Sequence, residues 1–461
     1  MAAKERLFGT DGIRGVANVD LTPEFAFSVG RAGAAVLASS SDRHRPIVVG
    51  RDTRLSGPML EAAIVAGITS VGRDAVTVGV LPTPAVAAIT VRTGAAAGVM
   101  ISASHNPIAD NGIKFFGPDG FKLSDATEDQ IEALLDSADD QPRPSGADVG
   151  VTKNALNLGK YYYEELYAGA ESLKGLMIVV DAAYGAAYAY APYALRKLGA
   201  TVHEINCEDD GSRINVECGA TDLRALQRRV NELRNAGTER VVGVAFDGDA
   251  DRALFVDETG AICNGDHVML ILARELHTQG ELTGDKVVGT VMSNLGLEKA
   301  LNAHGITLLR ASVGDRYVLE MMREGGYVFG GEQSGHIINL RNNTTGDGPK
   351  TAVALFSAVV RSGKTLHELA SELAVSPQIL LNVRTNRKDV LEMPEIRRAI
   401  HDVEENLTGT GRLLIRPSGT EPLIRVMVEG DDRTRVEAYA RDLAGRIEQA
   451  AATVMEPAAE Y

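Results

Sequence analysis

Short apolar, β-branched runs alternate with longer stretches whose apolar residues recur at helical spacing. The runs at 47–50, 75–80, 98–102, 177–181, 241–246, 286–291 and 327–330 predict strands, and the patterns at 58–70 and 186–198 predict helices. Such alternation predicts α/β architecture with largely parallel sheets. Many of these strands stop at Gly or Asp and give way to a polar loop. In open α/β sheets ligands gather at the carboxyl ends of strands, so the chemistry is to be sought in those loops. The last stretch reads differently: strands at 412–415 and 423–429, then a surface helix at 433–451, predict a smaller α+β unit.

The breaks follow from local composition. Residues 136–150 are acidic and rich in Pro, Ser and Gly, which predicts an exposed connection. A turn at Asp257-Glu258-Thr259-Gly260 and another near Ser376-Pro377 predict two more boundaries. The division expected is 1–150, 151–256, 257–373 and 374–461, with the tail at 453–461 frayed.

Composition narrows the function classes. At 44% hydrophobic and 24% charged residues, the chain is that of a folded globular protein. Sixty-two acidic against 47 basic side chains give a net charge of −15, which repels nucleic acid and anionic lipid. Trp is absent and aromatics are only 5%, which leaves few platforms for stacking bases. Neither nucleic acid nor membrane is an expected partner. Cys207, Cys218 and Cys263, odd in number and without CxxC spacing, fit reduced thiols rather than a disulfide scaffold or zinc site. The first residues lead into no secretory apolar segment, and no apolar run approaches the roughly 20 residues that span a bilayer. The expected location is the cytoplasm.

The sharpest motif is Asp247-Gly248-Asp249-Ala250-Asp251-Arg252, directly after an apolar run. In extended chain, alternate residues share a face, so the three carboxylates point the same way. Neighbours ~7 Å apart at an effective dielectric of 20 repel by roughly 2 kcal/mol per pair, unless a cation sits among them. Oxygen ligands suit Mg²⁺ or Ca²⁺ rather than zinc. A solvated acidic turn is the plain alternative. An EF-hand loop is the other, because Glu258 falls at its twelfth position, although Arg252 stands where that loop needs Gly.

Four further loops carry candidate groups. Ser102-Ala103-Ser104-His105-Asn106-Pro107 follows a strand and offers a serine beside a His, with Lys114 downstream; a turn is the simpler reading of the hexapeptide alone. Gly331-Glu332-Gln333-Ser334-Gly335-His336 offers groups that could hydrogen-bond a polyol such as a sugar. Arg416-Pro417-Ser418-Gly419-Thr420-Glu421-Pro422, with Arg425 beyond, could clamp a phosphate or be a polar hairpin turn. Phe8-Gly9-Thr10-Asp11-Gly12-Ile13-Arg14-Gly15 matches no dinucleotide or P-loop pattern, but Arg14 could meet an anion.

Together, and in this order along the chain, the five loops resemble those of the α-D-phosphohexomutase superfamily. The resemblance spans essentially the whole sequence, and Ser312-Val313-Gly314-Asp315-Arg316-Tyr317-Val318 and Thr344-Thr345-Gly346-Asp347-Gly348 share its flavour. It implies four domains around a central cleft, three related α/β domains and a smaller α+β C-terminal one. It implies a phosphate carried on Ser104, with one Mg²⁺ held between that residue and Asp247, Asp249 and Asp251. Arg14, His105, Lys114 and Arg252 would surround the transferring phosphoryl group. Glu332, Ser334 and His336 would face the sugar, and Arg416, Ser418, Gly419, Thr420 and Arg425 would hold the phosphate that is not reacting. The implied reaction moves a phosphoryl group between the 1- and 6-positions of a hexose phosphate through a bisphosphate intermediate, with hexose 1,6-bisphosphate as activator. Lys114 and His336 are the nominated general bases, one for each orientation of the sugar. Gln333-Ser334 favours glucosamine phosphate, with glucose or mannose phosphate as the alternative, and a homodimer is left open.

Overall fold

A computed structural model of the chain describes residues 6–37, 45–137, 141–418 and 422–453. It contains two compact units, Met1–Thr290 with Leu309–Ser371, and Val291–Leu308 with Glu372–Tyr461.

In the first unit a six-stranded sheet runs in the order Ile13–Val16, Asp110–Phe116, Ala97–Ile101, Ile47–Arg51, Ala75–Val80, Thr152–Asn154. Its central strands are apolar throughout because both faces are covered. Ile47 and Val49 pack with Ala26, Val29, Leu60 and Ile64 of two helices on one side. Val48 points the other way, to Val86 and Ile89 of the helix Thr83–Arg92. A five-stranded sheet follows, in the order Ile262–Cys263, Ala253–Val256, Val241–Phe246, Met177–Asp181, Thr201–Ile205. A third sheet in this unit sets Lys286–Thr290 beside Phe329–Gly331 and Ile337–Asn339.

The sheets are mixed, which corrects the expectation of largely parallel pairing. Each carries an antiparallel pair: Ala97–Ile101 with Asp110–Phe116, Val241–Phe246 with Ala253–Val256, and Phe329–Gly331 with Ile337–Asn339. Each pair flanks one of the motif loops. These loops are too short for a crossover, which needs a dozen or more residues, so the chain must return as a hairpin. The motifs therefore sit on rigid hairpins.

A second correction concerns the helix expected at 186–198. It spans only Tyr190–Lys197. Ala183 and Tyr184, both at φ +53°, lie in the left-handed region, and the Ala186 N–H donates to the Gly248 carbonyl at 2.8 Å. That stretch is a turn that props the acidic loop, and its backbone cannot start a helix.

The second unit has the α+β texture the sequence predicts. Leu423–Gly430 lies between Gln378–Arg384 and Gly411–Pro417, antiparallel to both. Helices Pro394–Leu407 and Arg433–Thr453 bury Val403, Val436, Leu443 and Ile447 against Ile424, Val426 and Val428. No helix among the described residues is long and apolar enough to cross a membrane. The three cysteines are free thiols, and burial pushes each of them up out of the thiolate range.

Candidate active site

The strand Ala97–Ile101 delivers Ser104 to a buried position at φ +51°, uncommon for any residue but glycine. It is held from several sides. Its N–H donates to Ser102 Oγ at 2.9 Å, and its carbonyl accepts from Arg54 Nη2 at 3.0 Å and Asn215 Nδ2 at 2.8 Å. Arg54 is fully buried and pairs with Asp52 at 3.0 Å. Its remaining donors reach the carbonyls of Asn106, Pro107 and Asp110 at 2.8, 2.6 and 2.9 Å. A guanidinium has five N–H donors, and all are spent here. Arg54 thus fixes the serine loop and has nothing left for a ligand. Ser104 Oγ donates to Asp247 Oδ2 at 2.5 Å and lies 3.3 Å from His105 Nδ1.

The hairpin after Val241–Phe246 carries Asp247, Asp249 and Asp251, all buried, with one oxygen from each inside a cluster no wider than 4.8 Å. Asp249 Oδ1 and Asp251 Oδ1 have no hydrogen-bond partner. Buried carboxylate oxygens are rarely left so, and an all-oxygen set of this size fits a hard divalent cation. Asp249 Oδ2 accepts from Thr83 Oγ1 at 2.6 Å and Lys114 Nζ at 2.8 Å. Burial, then Asp251 and Asp249, push the Asp247 carboxyl well above its usual range. Burial also works upward on Asp251, but His336, Lys114 and Arg252 outweigh it and hold that carboxyl below its usual range. A Cβ on Gly248 would lie 2.5 Å from the Ser104 carbonyl oxygen, so only glycine lets the two loops meet. Ala250, buried, sits at φ +57°. The EF-hand alternative fails: strands flank the loop, and Glu258 turns away to accept the N–H groups of Leu366 and His367 at 3.0 Å each.

Cations line the same place. Lys114, from the strand Asp110–Phe116, is buried 2.9 Å from Asp11 Oδ2 and 3.9 Å from Asp251 Oδ2. Burial works to lower its pKa, but Asp11, Asp249 and Asp251 carry it far above the ordinary lysine value. Arg14 pairs with Asp11 and donates to Asn106 Oδ1 at 3.1 Å. The Arg252 N–H donates to Asp247 Oδ1 at 3.3 Å. Burial, then Arg252 and Arg14, lower the His105 pKa to about 4, which leaves a neutral ring at pH 7.

His336 is buried on the adjoining loop, Nδ1 3.5 Å from Asp251 and Nε2 3.6 Å from Asp315. Burial works downward on it, but Asp251, Asp315 and Glu332 push its pKa up to about 9. The Gly346 N–H points at Nε2 from 3.1 Å, so a neutral ring keeps its proton on Nδ1, facing Asp251. Glu332 is buried and accepts the Gly314 N–H at 3.1 Å. Ser334 is exposed at the loop tip, and Gln333 Nε2 donates to Asp266 Oδ2 at 3.1 Å.

The structure thus brings together Ser104, His105, Lys114, Arg14, the three aspartates, Arg252, Glu332 and His336. It adds side chains that the motif reading left without a role. Asp11 and Asp315 sat inside quoted motifs. Thr83, Asp52, Arg54 and Lys122 carried no local signal, because their importance comes from partners far away in sequence. In the second unit, Arg416 and Arg425 stand directly opposite each other on paired strands. Burial and then Arg425 lower the Arg416 pKa. Two cations so placed repel, and an anion between them would relieve it. Ser418 is buried, its N–H donating to the Leu423 carbonyl at 2.8 Å. Gly419 and Thr420 lie outside the described residues.

A roomier cavity of about 490 Å³, lined by Glu165, Glu275, Lys350 and Arg361 among others, shares no residue with this site. Its Lys350 pairs with Glu165 and its Arg361 with Glu275, so it presents no unspent charge there.

Four family models match the chain, those of the phosphoglucomutase/phosphomannomutase alpha/beta/alpha domains I, II and III and of the C-terminal domain. They cover residues 5–142, 160–260, 264–375 and 380–446. Phosphoglucosamine mutase of Thermoanaerobacter sp. (strain X514) is 51% identical over 449 residues, 96% of this chain and 99% of that protein. Among solved structures, a phosphoglucomutase/phosphomannomutase family protein from Burkholderia thailandensis shares the fold with a TM-score of 0.82 at 24% identity, covering 98% of both chains. N-acetylphosphoglucosamine mutase of Aspergillus fumigatus, solved with GlcNAc-6P and magnesium, matches with a TM-score of 0.64 at 17% identity, over 98% of this chain and 97% of that one.

Proposed function

The chain belongs to the phosphoglucomutase/phosphomannomutase family, and from that premise we propose that it interconverts glucosamine 6-phosphate and glucosamine 1-phosphate. The observation that carries the reading is the Ser104 hydroxyl 2.5 Å from a buried triple-aspartate cluster, with Lys114 against the same carboxylates. A relative 51% identical over nearly the whole length, itself a phosphoglucosamine mutase, supports the choice of sugar. The four separate family matches, with gaps at 143–159, 261–263 and 376–379, support a four-part division within a few residues of that expected at 150, 256 and 373.

Ser104 carries the phosphoryl group in the active enzyme. Asp247, Asp249 and Asp251 would hold Mg²⁺ together with the phosphoserine. When bound, the ion would neutralise charge on the transferring oxygens and on the three carboxylates. The free hydroxyl of the sugar phosphate attacks phosphorus. The new P–O bond forms as the bond to Ser104 Oγ breaks; the hydroxyl proton is taken by the neutral form of Lys114 or His336, according to which end of the sugar is presented, and is returned to the freed Ser104 oxygen, so that no net proton is gained or lost. The product is glucosamine 1,6-bisphosphate. Once it has turned end for end, its other phosphoryl group returns to Ser104 by the same chemistry in reverse. Arg14, Arg252 and neutral His105 surround the moving group. Glu332 and Ser334 address the sugar. Arg416, Ser418, Gly419, Thr420 and Arg425 grip the idle phosphate, which suits a ligand that must bind in two orientations. Hexose 1,6-bisphosphate activates by phosphorylating Ser104 of any enzyme that has lost its phosphate.

The test supplies each hexose phosphate with a trace of hexose 1,6-bisphosphate and compares kcat/KM. Glucosamine phosphate is expected to lead. A preference for glucose or mannose phosphate would move the assignment within the family, and no turnover of any would reject it.

A further inference from the structure

Six side chains of the first unit form a closed ring of short polar contacts. Lys114 Nζ is 2.9 Å from Asp11 Oδ2, and Asp11 Oδ1 is 2.5 Å from Lys122 Nζ. Lys122 Nζ also pairs with Asp315 Oδ2. That same Asp315 oxygen is 3.6 Å from His336 Nε2, His336 Nδ1 is 3.5 Å from Asp251 Oδ2, and Asp251 Oδ2 is 3.9 Å from Lys114 Nζ. The two groups placed to move the sugar proton, Lys114 and His336, thus stand on either side of Asp251. Lys122 closes the ring on the far side.

We propose that Lys122 is a positioning residue: clamped between Asp11 and Asp315, it fixes the Lys114 ammonium and the His336 imidazole relative to each other, and so sets the rate of phosphoryl transfer without touching substrate. The inference rests on the mutase reading. Three features support it. Lys122 has no partner in this network but the two carboxylates, and its side chain is 13% exposed. Burial works to lower its pKa, but Asp11 and Asp315 push it up to about 12, so it keeps its charge through the neutral range. Each carboxylate is fixed elsewhere as well. Asp11 also holds Arg14, and Asp315 stands in the first turn of the helix Asp315–Gly325, where the N–H of Arg316 donates to its other oxygen at 2.9 Å. Without the Lys122 ammonium, Asp11 keeps Lys114 and Arg14, but nothing bridges it to Asp315. With Oδ1 unheld, the Asp11 carboxylate can rotate and loosen its hold on Lys114, and Asp315 loses its bearing on His336. A displacement of about 1 Å at a reacting group can cost a hundredfold in rate.

The experiment compares Lys122→Met, which keeps length and loses charge, with Lys122→Arg, which keeps a cation able to bridge two carboxylates. In Lys122→Met, kcat for glucosamine phosphate is expected to fall about tenfold to a hundredfold with KM within about twofold, and Lys122→Arg to restore most of the loss. Acetylation of Lys114, mapped by peptide mass spectrometry, gives a readout independent of turnover. It is expected to rise at least about fivefold in Lys122→Met while labelling of the part-buried Lys350, paired with Glu165, is unchanged, as a less firmly held ammonium would. Wild-type kcat in Lys122→Met, equal losses in Met and Arg, or unchanged Lys114 labelling each overturns the proposal. If Lys122→Met does not fold, Lys122→Gln serves in its place, with the same kcat and labelling expected. A wild-type enzyme without mutase turnover instead fails the functional reading, and the labelling comparison still judges the ring.

Discussion

Ser104 and Asp247 are 143 residues apart in sequence, yet the serine hydroxyl donates to the aspartate at 2.5 Å. Removing that hydroxyl removes the proposed attachment point for phosphate while leaving the loop's other ties intact. Ser104→Ala is therefore expected to lower kcat by at least about 10⁴-fold, as loss of a nucleophile does. Its stability should stay within about 2 kcal/mol of wild type, since one buried hydrogen bond is lost. Coupled assay and thermal melting check both. Appreciable turnover in the variant would remove the phosphoenzyme.

The unpartnered oxygens of Asp249 and Asp251 predict a metal response without substrate. Mg²⁺ is expected to raise the melting temperature of the protein, and chelation to reverse it. At a hundredfold over Kd the gain is about 2.7 kcal/mol. Asp249→Asn should weaken the Mg²⁺ midpoint in both the melting and the activity titration. Unchanged midpoints would contradict the ligand assignment.

Much of this site was legible because its groups arrive in dense local motifs. The acidic loop stated its own donor set, and the strand runs before it placed it at a sheet end. The hairpin returns were also legible from loop length, and the expectation of parallel sheets overlooked that rule. Lys122 and Arg54 were not legible. Each is a single basic residue in an ordinary stretch, and its role exists only through carboxylates and carbonyls brought from elsewhere. The helix expected at 186–198 starts only at Tyr190 for the same reason: the apolar residues at 186–189 suit a helix, while their packing on Gly248 decides otherwise.

Ala250 makes a sharper test of backbone geometry. At φ +57° an L-residue costs roughly 1–2 kcal/mol, which Gly would relieve. Gly gives back about 0.5–1 kcal/mol in chain entropy and about 0.8 kcal/mol for the buried methyl. Ala250→Gly is thus expected within about 1 kcal/mol of wild type. Ala250→Val, branched and overpacked in the same conformation, should lose about 2 kcal/mol or more. Denaturant melts decide between them, and a well-tolerated Val would show that the loop is not so constrained.

The turn after the metal hairpin carries a pH signature. Burial works to raise the Asp257 pKa, but hydrogen bonds from Thr259, His367 and Ala261 outweigh it and hold it below its usual value. A carboxyl depressed on folding contributes stability above its unfolded pKa of 3.8 and loses it as pH falls through the lower folded value. The melting-temperature gap between wild type and Asp257→Asn should therefore be full at pH 6 and shrink below about pH 4. A gap independent of pH would clear the carboxylate charge of any part.

Arg416 and Arg425 predict opposite effects on stability and binding. They face each other across paired strands, and burial together with Arg425 already depresses the Arg416 pKa. Like charges directly opposite in a sheet are destabilising by about 0.2–1 kcal/mol. Arg425→Ala should relieve that repulsion, so the ligand-free protein is expected to lose less stability than the ligand-bound one. In the proposed clamp the same substitution would remove charged hydrogen bonds to phosphate, worth about 1.5–3 kcal/mol, and KM for glucosamine phosphate should rise tenfold or more. The melting gain on adding glucosamine phosphate should shrink in parallel. A variant that melts lower yet keeps its KM would show that Arg425 serves the fold of the second unit instead, and the phosphate clamp would have to be sought elsewhere.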